Sequence, residues 1–302
     1  MKRPRARNAS ERISGKTLAL TNLDKVLWPD KGYTKGDLIA YYRDVARWLL
    51  PYLKDRPLTL ERYPNGVGKP GFFEKQAPKG LPEWVRTIAL RSGGARPVVR
   101  YVLCDDEATL AYVANLAAIA LHVWMSRTGS LDKPDFILLD LDRGDGCTLG
   151  TLATVALAVR EELQRVRMRA HIKTTGGSGL HVVAWLRGSY DYERARDVAH
   201  DIALRVEQRL PKLVTLERMI AKRPRGRVYM DWVQVGKGKT IVMPFVVRAR
   251  RGAPVSMPLR WAEVEQLRRS STQDTAGYFA RWNIKSVPSM LRRSGDPWKT
   301  RA

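Results

Sequence analysis

The chain has 302 residues, and 54 Lys and Arg against 30 Asp and Glu give it a formal net charge of +24. Because 44% of the residues are hydrophobic, it can bury a substantial core, which excludes a wholly disordered basic protein. The length predicts about two domains or subdomains. The charge favours a polyanionic partner, most commonly nucleic acid; an anionic membrane surface and a solvated basic shell are the alternatives.

The N-terminal residues 1–16 are basic and polar, and they predict a flexible basic arm. No apolar stretch follows the first basic residues, so a secretory signal is not expected and the cytoplasm, with nucleoid association, is the expected compartment. Cys104 and Cys147 are far apart and lack CxxC spacing. Neither a zinc site nor a disulfide framework is therefore predicted.

The first predicted helix follows Thr34, which can cap it together with Asp37 three residues later. Apolar residues recur behind this cap at helical spacing: Leu38, Tyr41, Tyr42, Val45 and Leu49. Pro51 and Pro57 are expected to end the helix, because proline lacks the N–H group that a helix interior needs.

A short strand is predicted over residues 58–63, followed by a loop of turn-forming residues, 64–71. The loop delivers Phe72 and Phe73. Adjacent residues of an extended segment point in opposite directions, so we expect that the two rings are not both fully buried. Residues 108–126 carry no charge but contain an asparagine and a histidine, which predicts a buried helix rather than a membrane span.

A second region begins near Pro134, where strands and helices alternate in βαββα order. The predicted strands are 135–142, 170–174 and 180–185, the predicted helices are 149–166 and 192–210, and a closing hairpin joins strands 227–235 and 240–247 through the glycine-rich turn 236–239. Antiparallel pairing is expected at the two tight turns of this region.

Asp140 and Asp142 interrupt an otherwise apolar strand. Residues i and i+2 of a strand share a face, so the two carboxylates are expected side by side. Neighbouring carboxylates repel each other, and a hard divalent cation relieves the repulsion. A DxD pair seen alone is more often a pair of surface or capping aspartates, but the apolar surroundings favour a metal site here.

Asp231 is the only acid between Arg218 and Arg251, a stretch that holds ten Lys and Arg residues. A carboxylate within a strand needs a partner. A salt bridge to one of these bases is one explanation. The other is a third metal ligand beside Asp140 and Asp142, as two-metal phosphoryl transfer requires.

The turn from Thr175 to Gly179 carries three glycines and is followed by His181. Glycines let backbone N–H groups approach a phosphate closely, and the histidine can donate to a phosphate oxygen. Most glycine-rich turns are only hairpins. The position of this turn in the sequence, between the paired aspartates and Asp231, favours a binding role here.

These motifs together resemble the polymerase domain of bacterial ligase D, a family of the archaeo-eukaryotic primase superfamily that acts in non-homologous end joining. The resemblance covers nearly the whole chain and rests on these segments: Leu20 to Pro29, Arg62 to Val67, Phe72 to Lys75, Leu138 to Asp142, Gly179 to Val182, Tyr229 to Trp232, Val247 to Arg250 and Gly295 to Trp298.

The resemblance implies roles for individual residues. It implies catalytic metal ligands at Asp140, Asp142 and Asp231. It implies nucleotide-binding residues at Arg62, His122, Thr175, Ser178, Gly179, His181 and Arg248. It implies contacts to DNA at Asn22, Lys25, Lys35, Phe72 and Phe73, the first three to a downstream 5′-phosphate and the two rings to the template. A phenyl face stacks on any base, which suits arbitrary DNA ends.

Three positions depart from the family pattern. The family usually has serine at Thr175, a basic residue at one of the two positions filled by Gly177 and Ser178, and often a basic residue at Glu61. The missing positive charge predicts a weaker hold on the triphosphate.

The resemblance implies a mixed α/β (α+β) primase fold. A smaller N-terminal α/β subdomain, 17–133, would accompany an RRM-like catalytic subdomain, 134–302. The implied reaction is template-directed nucleotidyl transfer with NTP or dNTP and two Mn²⁺ or Mg²⁺ ions, at gaps and ends of broken DNA. Ku and a DNA ligase are the implied partners, since 302 residues leave no room for a ligase domain.

Two alternatives stay open. One is a primase-polymerase of replication or of a mobile element, which would share the metal site. The other is a non-catalytic module that binds DNA ends and has lost turnover through its altered triphosphate turn.

Overall fold

The computed structural model describes residues 7–91, 97–186 and 190–299. The helices are α1 (Lys35–Leu53), α2 (Glu107–Asn115), α3 (Leu149–Arg165), α4 (Tyr192–Arg209), α5 (Trp261–Leu267), α6 (Thr275–Phe279) and α7 (Val287–Ser294), with short 3₁₀ turns at Thr128–Ser130 and Ile220–Lys222. The strands are β1 (Ala9–Ile13), β2 (Lys16–Leu20), β3 (Val26–Trp28), β4 (Tyr33–Thr34), β5 (Pro57–Arg62), β6 (Phe72–Glu74), β7 (Thr87–Arg91), β8 (Val98–Leu103), β9 (Ala118–Trp124), β10 (Phe136–Asp142), β11 (Ala170–Thr174), β12 (Leu180–Trp185), β13 (Val214–Thr215), β14 (Val228–Asp231), β15 (Thr240–Val242) and β16 (Pro258–Leu259).

The chain folds into two compact units. The first contains residues up to Trp124 together with Ile241–Val255 and Trp282–Ser294. The second contains Met125–Thr240, Ser256–Arg281 and the C-terminal segment from Gly295. The expected subdomains met near residue 134, and everything beyond was expected in the second. Two later segments belong to the first unit instead: Ile241–Val255, where β15 pairs with β9, and Trp282–Ser294, where α7 packs against α1.

The first unit is built on a sheet in the order β15-β9-β5-β8-β7, with β6 added to β5. Helix α1 has the predicted capping box, in which Thr34 and Asp37 bond each other's backbone N–H groups. Its predicted apolar face is buried. The hydroxyl of Tyr42 donates to the carbonyl of Ile119 in β9 at 2.6 Å, which ties the helix to the sheet.

Three predictions for this unit are wrong. The helix does not end at Pro51. This proline lies within its last turn, and the helix continues to Leu53. Residues 9–13 and 16–20 pair as the β1–β2 hairpin rather than forming a flexible arm, while residues 1–6 lie outside the described residues. The uncharged run 108–126 divides into α2 and β9 at Ala117, whose φ is +57°, since short apolar runs suit either structure.

The second unit contains a sheet in the order β13-β14-β10-β12-β11-β16. The predicted βαββα order is confirmed by β10, α3, β11, β12 and α4, and β11 pairs with β12 in antiparallel fashion. Helices α3 and α4 pack against each other and against the strands. The predicted hairpin of residues 227–247 is wrong, because β14 pairs with β10 and β13 while β15 belongs to the other sheet.

None of the helices within the described ranges combines the length and the apolar character needed to span a bilayer.

Candidate active site

The central strand β10 brings the three predicted carboxylates onto one face of the second unit's sheet. Asp140 lies directly opposite Asp231 of β14, and Asp142 lies opposite Tyr229 on the same strand pair. Directly opposed residues of antiparallel strands point to the same face, as do residues two apart along a strand. On its other side Asp140 lies opposite His181 of β12. The strand register therefore brings together Asp140, His181 and Asp231, which are far apart in the sequence.

The carboxylate face is distinct from the apolar face of the same strand. Leu139 and Leu141 alternate with the aspartates and are 1% and 0% exposed. The side chain of Asp140 is 17% exposed, and Asp142 is exposed. An acid at these alternating positions avoids the core and keeps access to solvent, as a metal ligand requires.

Asp231 takes its hydrogen bonds from the loop that follows its own strand. One carboxylate oxygen accepts from the backbone N–H of Val233 at 3.0 Å and the other from Nε2 of Gln234 at 2.9 Å. Neither of these partners from the described residues is a lysine or an arginine, so the salt-bridge explanation is not supported.

The residues present suit hard divalent cations by chemistry and by register. All three are carboxylates, the oxygen donors that Mg²⁺ and Mn²⁺ prefer. No set of three or more His, Cys, Asp or Glu side chains in the described part of the chain has already converged around a metal position. In this arrangement the hydrogen bonds of Asp231 run to Val233 and Gln234.

The glycine-rich turn lies between β11 and β12 and is held by Thr175. Its hydroxyl oxygen accepts from the N–H groups of Gly177 at 3.1 Å and Gly179 at 3.3 Å. Serine carries the same hydroxyl, so this departure from the family pattern preserves the turn. At Gly179 a Cβ atom would lie 2.5 Å from the carbonyl oxygen of Leu141. Only glycine allows the turn to lie this close to the end of β10. The carbonyl of Ser178, in the same turn, accepts from the hydroxyl of Thr275 at 2.9 Å.

His181 connects this turn to the carboxylates. Its Nε2 lies 3.3 Å from Oδ1 of Asp140, and its Nδ1 lies 2.7 Å from Nζ of Lys173. Lys173 also bonds Oγ of Ser256 at 2.7 Å. Sequence reasoning missed both Lys173 and Ser256. The available signal for Lys173 was a basic residue on the predicted strand 170–174, two residues before the turn.

In the first unit, His122 and Glu61 form a pair, with Nε2 of His122 2.9 Å from Oε2 of Glu61. The hydroxyl of Tyr63 donates to the other carboxylate oxygen at 3.0 Å. Burial acts to raise the pKa of Glu61, but the hydrogen bonds from His122 and Tyr63 and the charges of His122 and Arg248 outweigh it and lower the pKa. The acid at position 61 is thus the partner of the predicted nucleotide-binding histidine.

Arg62 and the two phenylalanines adjoin this pair. The Arg62 guanidinium donates to the carbonyl of Leu116 at 2.9 Å and to the carboxylate of Glu74 at 2.8 Å. Phe72 lies 5.3 Å from that guanidinium, and the ring of Phe73 lies 5.4 Å from the ring of His122 in edge-on geometry. Phe72 is 46% exposed and Phe73 is 62% exposed, which confirms that the two rings are not both fully buried. Neither ring belongs to the hydrophobic core.

Asn22, Lys25 and Lys35 meet where β3 and β4 lead into α1. The N–H of Lys35 donates to the carbonyl of Lys25 at 2.8 Å, and the N–H of Lys25 donates to the carbonyl of Asn22 at 3.1 Å. Lys35 is only 5% exposed, and its ammonium donates to Thr21 and to the carbonyl of Asn115. Burial first, and the charge of Lys25 second, lower its pKa to about 8.

The predicted site residues thus form coherent sets in each unit. The second unit holds Asp140, Asp142, Asp231, Thr175, Ser178, Gly179 and His181, and the first holds Arg62, His122, Arg248, Phe72, Phe73, Asn22, Lys25 and Lys35. In the second set the sheet register sets the alignment. In the first set, loops and strand ends supply most members.

The mixed α/β fold, with carboxylates aligned on a βαββα sheet, is the arrangement that the resemblance to a primase-polymerase domain implied. The chain is similar to the solved structure of the polymerase domain from Mycobacterium tuberculosis ligase D in complex with DNA, with a TM-score of 0.83 and 33% sequence identity. The match covers 92% of this chain and 96% of that domain. The family of the LigD primase-polymerase domain matches residues 34–298. The chain belongs to this family.

Curated relatives agree with the assignment. The multifunctional non-homologous end joining protein LigD of Mycobacterium bovis is 36% identical over 280 residues, which are 89% of this chain and 36% of that protein. The bifunctional LigD of Bacillus subtilis is 30% identical over 282 residues, 93% of this chain and 43% of that protein. The chain therefore spans less than half the length of each of these relatives.

Proposed function

We propose that the chain is a template-directed nucleotidyltransferase that fills gaps and extends ends at DNA double-strand breaks in bacterial non-homologous end joining. The observation that carries this proposal is the alignment of Asp231, Asp140 and Asp142 on one sheet face, in a member of the LigD primase-polymerase family. NTP or dNTP is the proposed substrate, and Ku and a DNA ligase are the proposed partners.

The three aspartates are the proposed ligands of two Mn²⁺ or Mg²⁺ ions. When bound, such ions supply charge that favours ionisation of a primer 3′-hydroxyl and stabilises the pyrophosphate leaving group. Asp140 and Asp142 present their carboxylates from a strand that cannot shift without breaking the sheet. This rigidity lets the acids hold charged groups at fixed separations.

Nucleotide-binding roles are proposed for residues of each unit, taken separately. In the second unit, His181 and the turn residues Thr175, Ser178 and Gly179 face the triphosphate. In the first unit, Arg62, His122 and Arg248 face the nucleotide. Glu61 compensates part of this positive charge, which is consistent with a weaker hold on the triphosphate.

DNA binding is proposed because the similar Mycobacterium tuberculosis domain was solved in complex with DNA, and because the net charge of +24 suits a phosphate backbone. The exposed rings of Phe72 and Phe73 would stack on template bases. Asn22, Lys25 and Lys35 would bind a downstream 5′-phosphate; an ammonium group suits a terminal phosphate as a compact charge.

The test is primer extension on a gapped duplex with a downstream 5′-phosphate, in Mn²⁺ or Mg²⁺. The double variant Asp140→Ala plus Asp142→Ala is expected to abolish incorporation. A matched control is Asp197→Ala plus Asp201→Ala, which removes two exposed acids of α4 and should leave incorporation unchanged. Incorporation that survives in the β10 double variant would refute the metal assignment.

The same assay separates the two alternatives. Synthesis that starts without a primer would favour a primase-polymerase of replication or of a mobile element. Tight binding of the gapped duplex without incorporation in either metal would favour a non-catalytic end-binding module.

A further inference from the structure

Lys173 is an ammonium group placed in the interior of the second unit. It lies on β11 and is 1% exposed. Burying a charged amine is costly unless hydrogen bonds replace its water. Two partners lie at 2.7 Å from Nζ: Oγ of Ser256, which is itself fully buried, and Nδ1 of His181. The proposed function uses the histidine but leaves the lysine without a role.

The sheet register places Lys173 in line with the carboxylates. Lys173 lies opposite His181, His181 lies opposite Asp140, and Asp140 lies opposite Asp231. The four residues form one row across β11, β12, β10 and β14, on one face of the sheet. The lysine stands at the buried end of this row, and the acids stand at the other.

The direction of the hydrogen bonds along the row follows from the donors available. Ser256 donates its hydroxyl hydrogen to the carbonyl of Thr174 at 2.7 Å, so its oxygen is the acceptor toward Lys173. An ammonium group has three donors and no acceptor. Toward a protonated Lys173, Nδ1 of His181 accepts with its lone pair. The ring proton of a neutral imidazole that accepts at Nδ1 is on Nε2.

We infer that Lys173 is a positioning residue, which fixes the orientation of His181 and holds its proton on Nε2. That nitrogen lies 3.3 Å from Oδ1 of Asp140. The arrangement corresponds to the outer-shell partners that set the tautomer of functional histidines. The use of this donor toward a triphosphate oxygen rests on the proposed function, whereas the tautomer itself does not.

The test is ¹⁵N NMR of the histidine rings in the full chain without metal or nucleotide, with the His181 signals assigned from a His181→Gln variant. The wild-type protein is expected to show a pyrrole-type Nε2 and a pyridine-type Nδ1 that accepts a hydrogen bond. In Lys173→Met the Nδ1 signal is expected to shift toward that of an acceptor without a donor. The imidazole is also expected to populate both tautomers instead of one. Lys212→Met removes an exposed lysine of the same unit and should leave the spectrum unchanged.

A wild-type His181 with its proton on Nδ1 overturns the inference, and this outcome needs no variant to fold. Unchanged His181 signals in a folded Lys173→Met protein overturn it equally. As a second readout, Lys173→Met is expected to lower kcat/KM for the nucleotide about 10- to 100-fold. If the wild-type protein incorporates no nucleotide but shows the expected tautomer, the proposed function fails and the positioning role stands.

Discussion

The two units hold their candidate functional groups in different ways. In the second unit, Asp140, Asp231, His181 and Lys173 occupy one row of a sheet, so the strand pairing fixes their backbone positions relative to one another. In the first unit, the exposed rings of Phe72 and Phe73 and the cations near them lie on a short edge strand, loops and a helix start. The proposed reaction centre needs fixed separations, whereas the proposed surface for arbitrary DNA ends benefits from adaptable contacts.

The largest effect is expected from a substitution in the glycine-rich turn, which should disturb the row of residues on the second unit's sheet. In Gly179→Ala the new methyl group would lie 2.5 Å from the carbonyl oxygen of Leu141, so the turn or β10 must shift. We expect loss of nucleotide incorporation and a free energy of unfolding lower by about 1–3 kcal/mol. Primer extension and denaturant titration measure the two effects. The control is Gly68→Ala, where an added Cβ meets nothing within 4 Å. Equal activity of the two variants would contradict a rigid site.

The second prediction addresses the adaptable surface of the first unit. Phe73→Ala is expected to weaken binding of a gapped duplex by about 1–3 kcal/mol through lost base stacking. Because the ring is 62% exposed, the free energy of unfolding of the protein should change by less than about 0.5 kcal/mol. Fluorescence anisotropy with labelled DNA measures the affinity. Val98→Ala, at an exposed apolar residue of the same unit, is the control. A large loss of stability in Phe73→Ala would show that the ring serves the core.

The third prediction asks whether the first unit also contains a fixed pair. Glu61→Gln removes the carboxylate that His122 and Tyr63 share, and we expect a loss of about 1–2 kcal/mol of unfolding free energy at pH 7. The folded-state pKa of Glu61 is below its ordinary 4.5, so its stabilisation is present above pH 4.5 and disappears as the pH falls through the lower folded value. Unfolding titrations at pH 7 and pH 3 should show the wild-type advantage shrinking in acid. If the difference in unfolding free energy between the wild type and Glu61→Gln did not depend on pH, the charge of Glu61 would not be the source of the stabilisation.

The smallest expected effect concerns Lys35. Its pKa of about 8 means that the ammonium is charged at pH 7 and mostly neutral at pH 9. The preference for a 5′-phosphorylated over a 5′-hydroxyl gap should therefore fall as the pH rises, by up to about tenfold per pH unit above 8. Binding titrations from pH 7 to pH 9 measure it. Lys35→Arg, which stays charged over this range, should remove the pH dependence. A wild-type preference that does not vary with pH would exclude Lys35 as the phosphate ligand.

Local sequence patterns predicted much of the second unit. The alternation in β10 correctly placed Asp140 and Asp142 on one face, and the helical spacing correctly located α3 and α4. Such predictions succeed because the period of a strand or a helix is a property of consecutive residues. They failed for residues 108–126 and for the supposed hairpin 227–247, where the choice depended on which distant strand was available as a partner.

By itself, the sequence determined the strand and helix periods, the Thr34 cap, the family resemblance and the three acids as candidates. Only the tertiary structure decided that Asp231 lies opposite Asp140, that Glu61 pairs with His122, and that the buried ammonium of Lys173 lies behind His181. Pairings of this kind join residues that are far apart in the chain. Strand register and side-chain burial set them, and neither is encoded in the spacing of neighbouring residues.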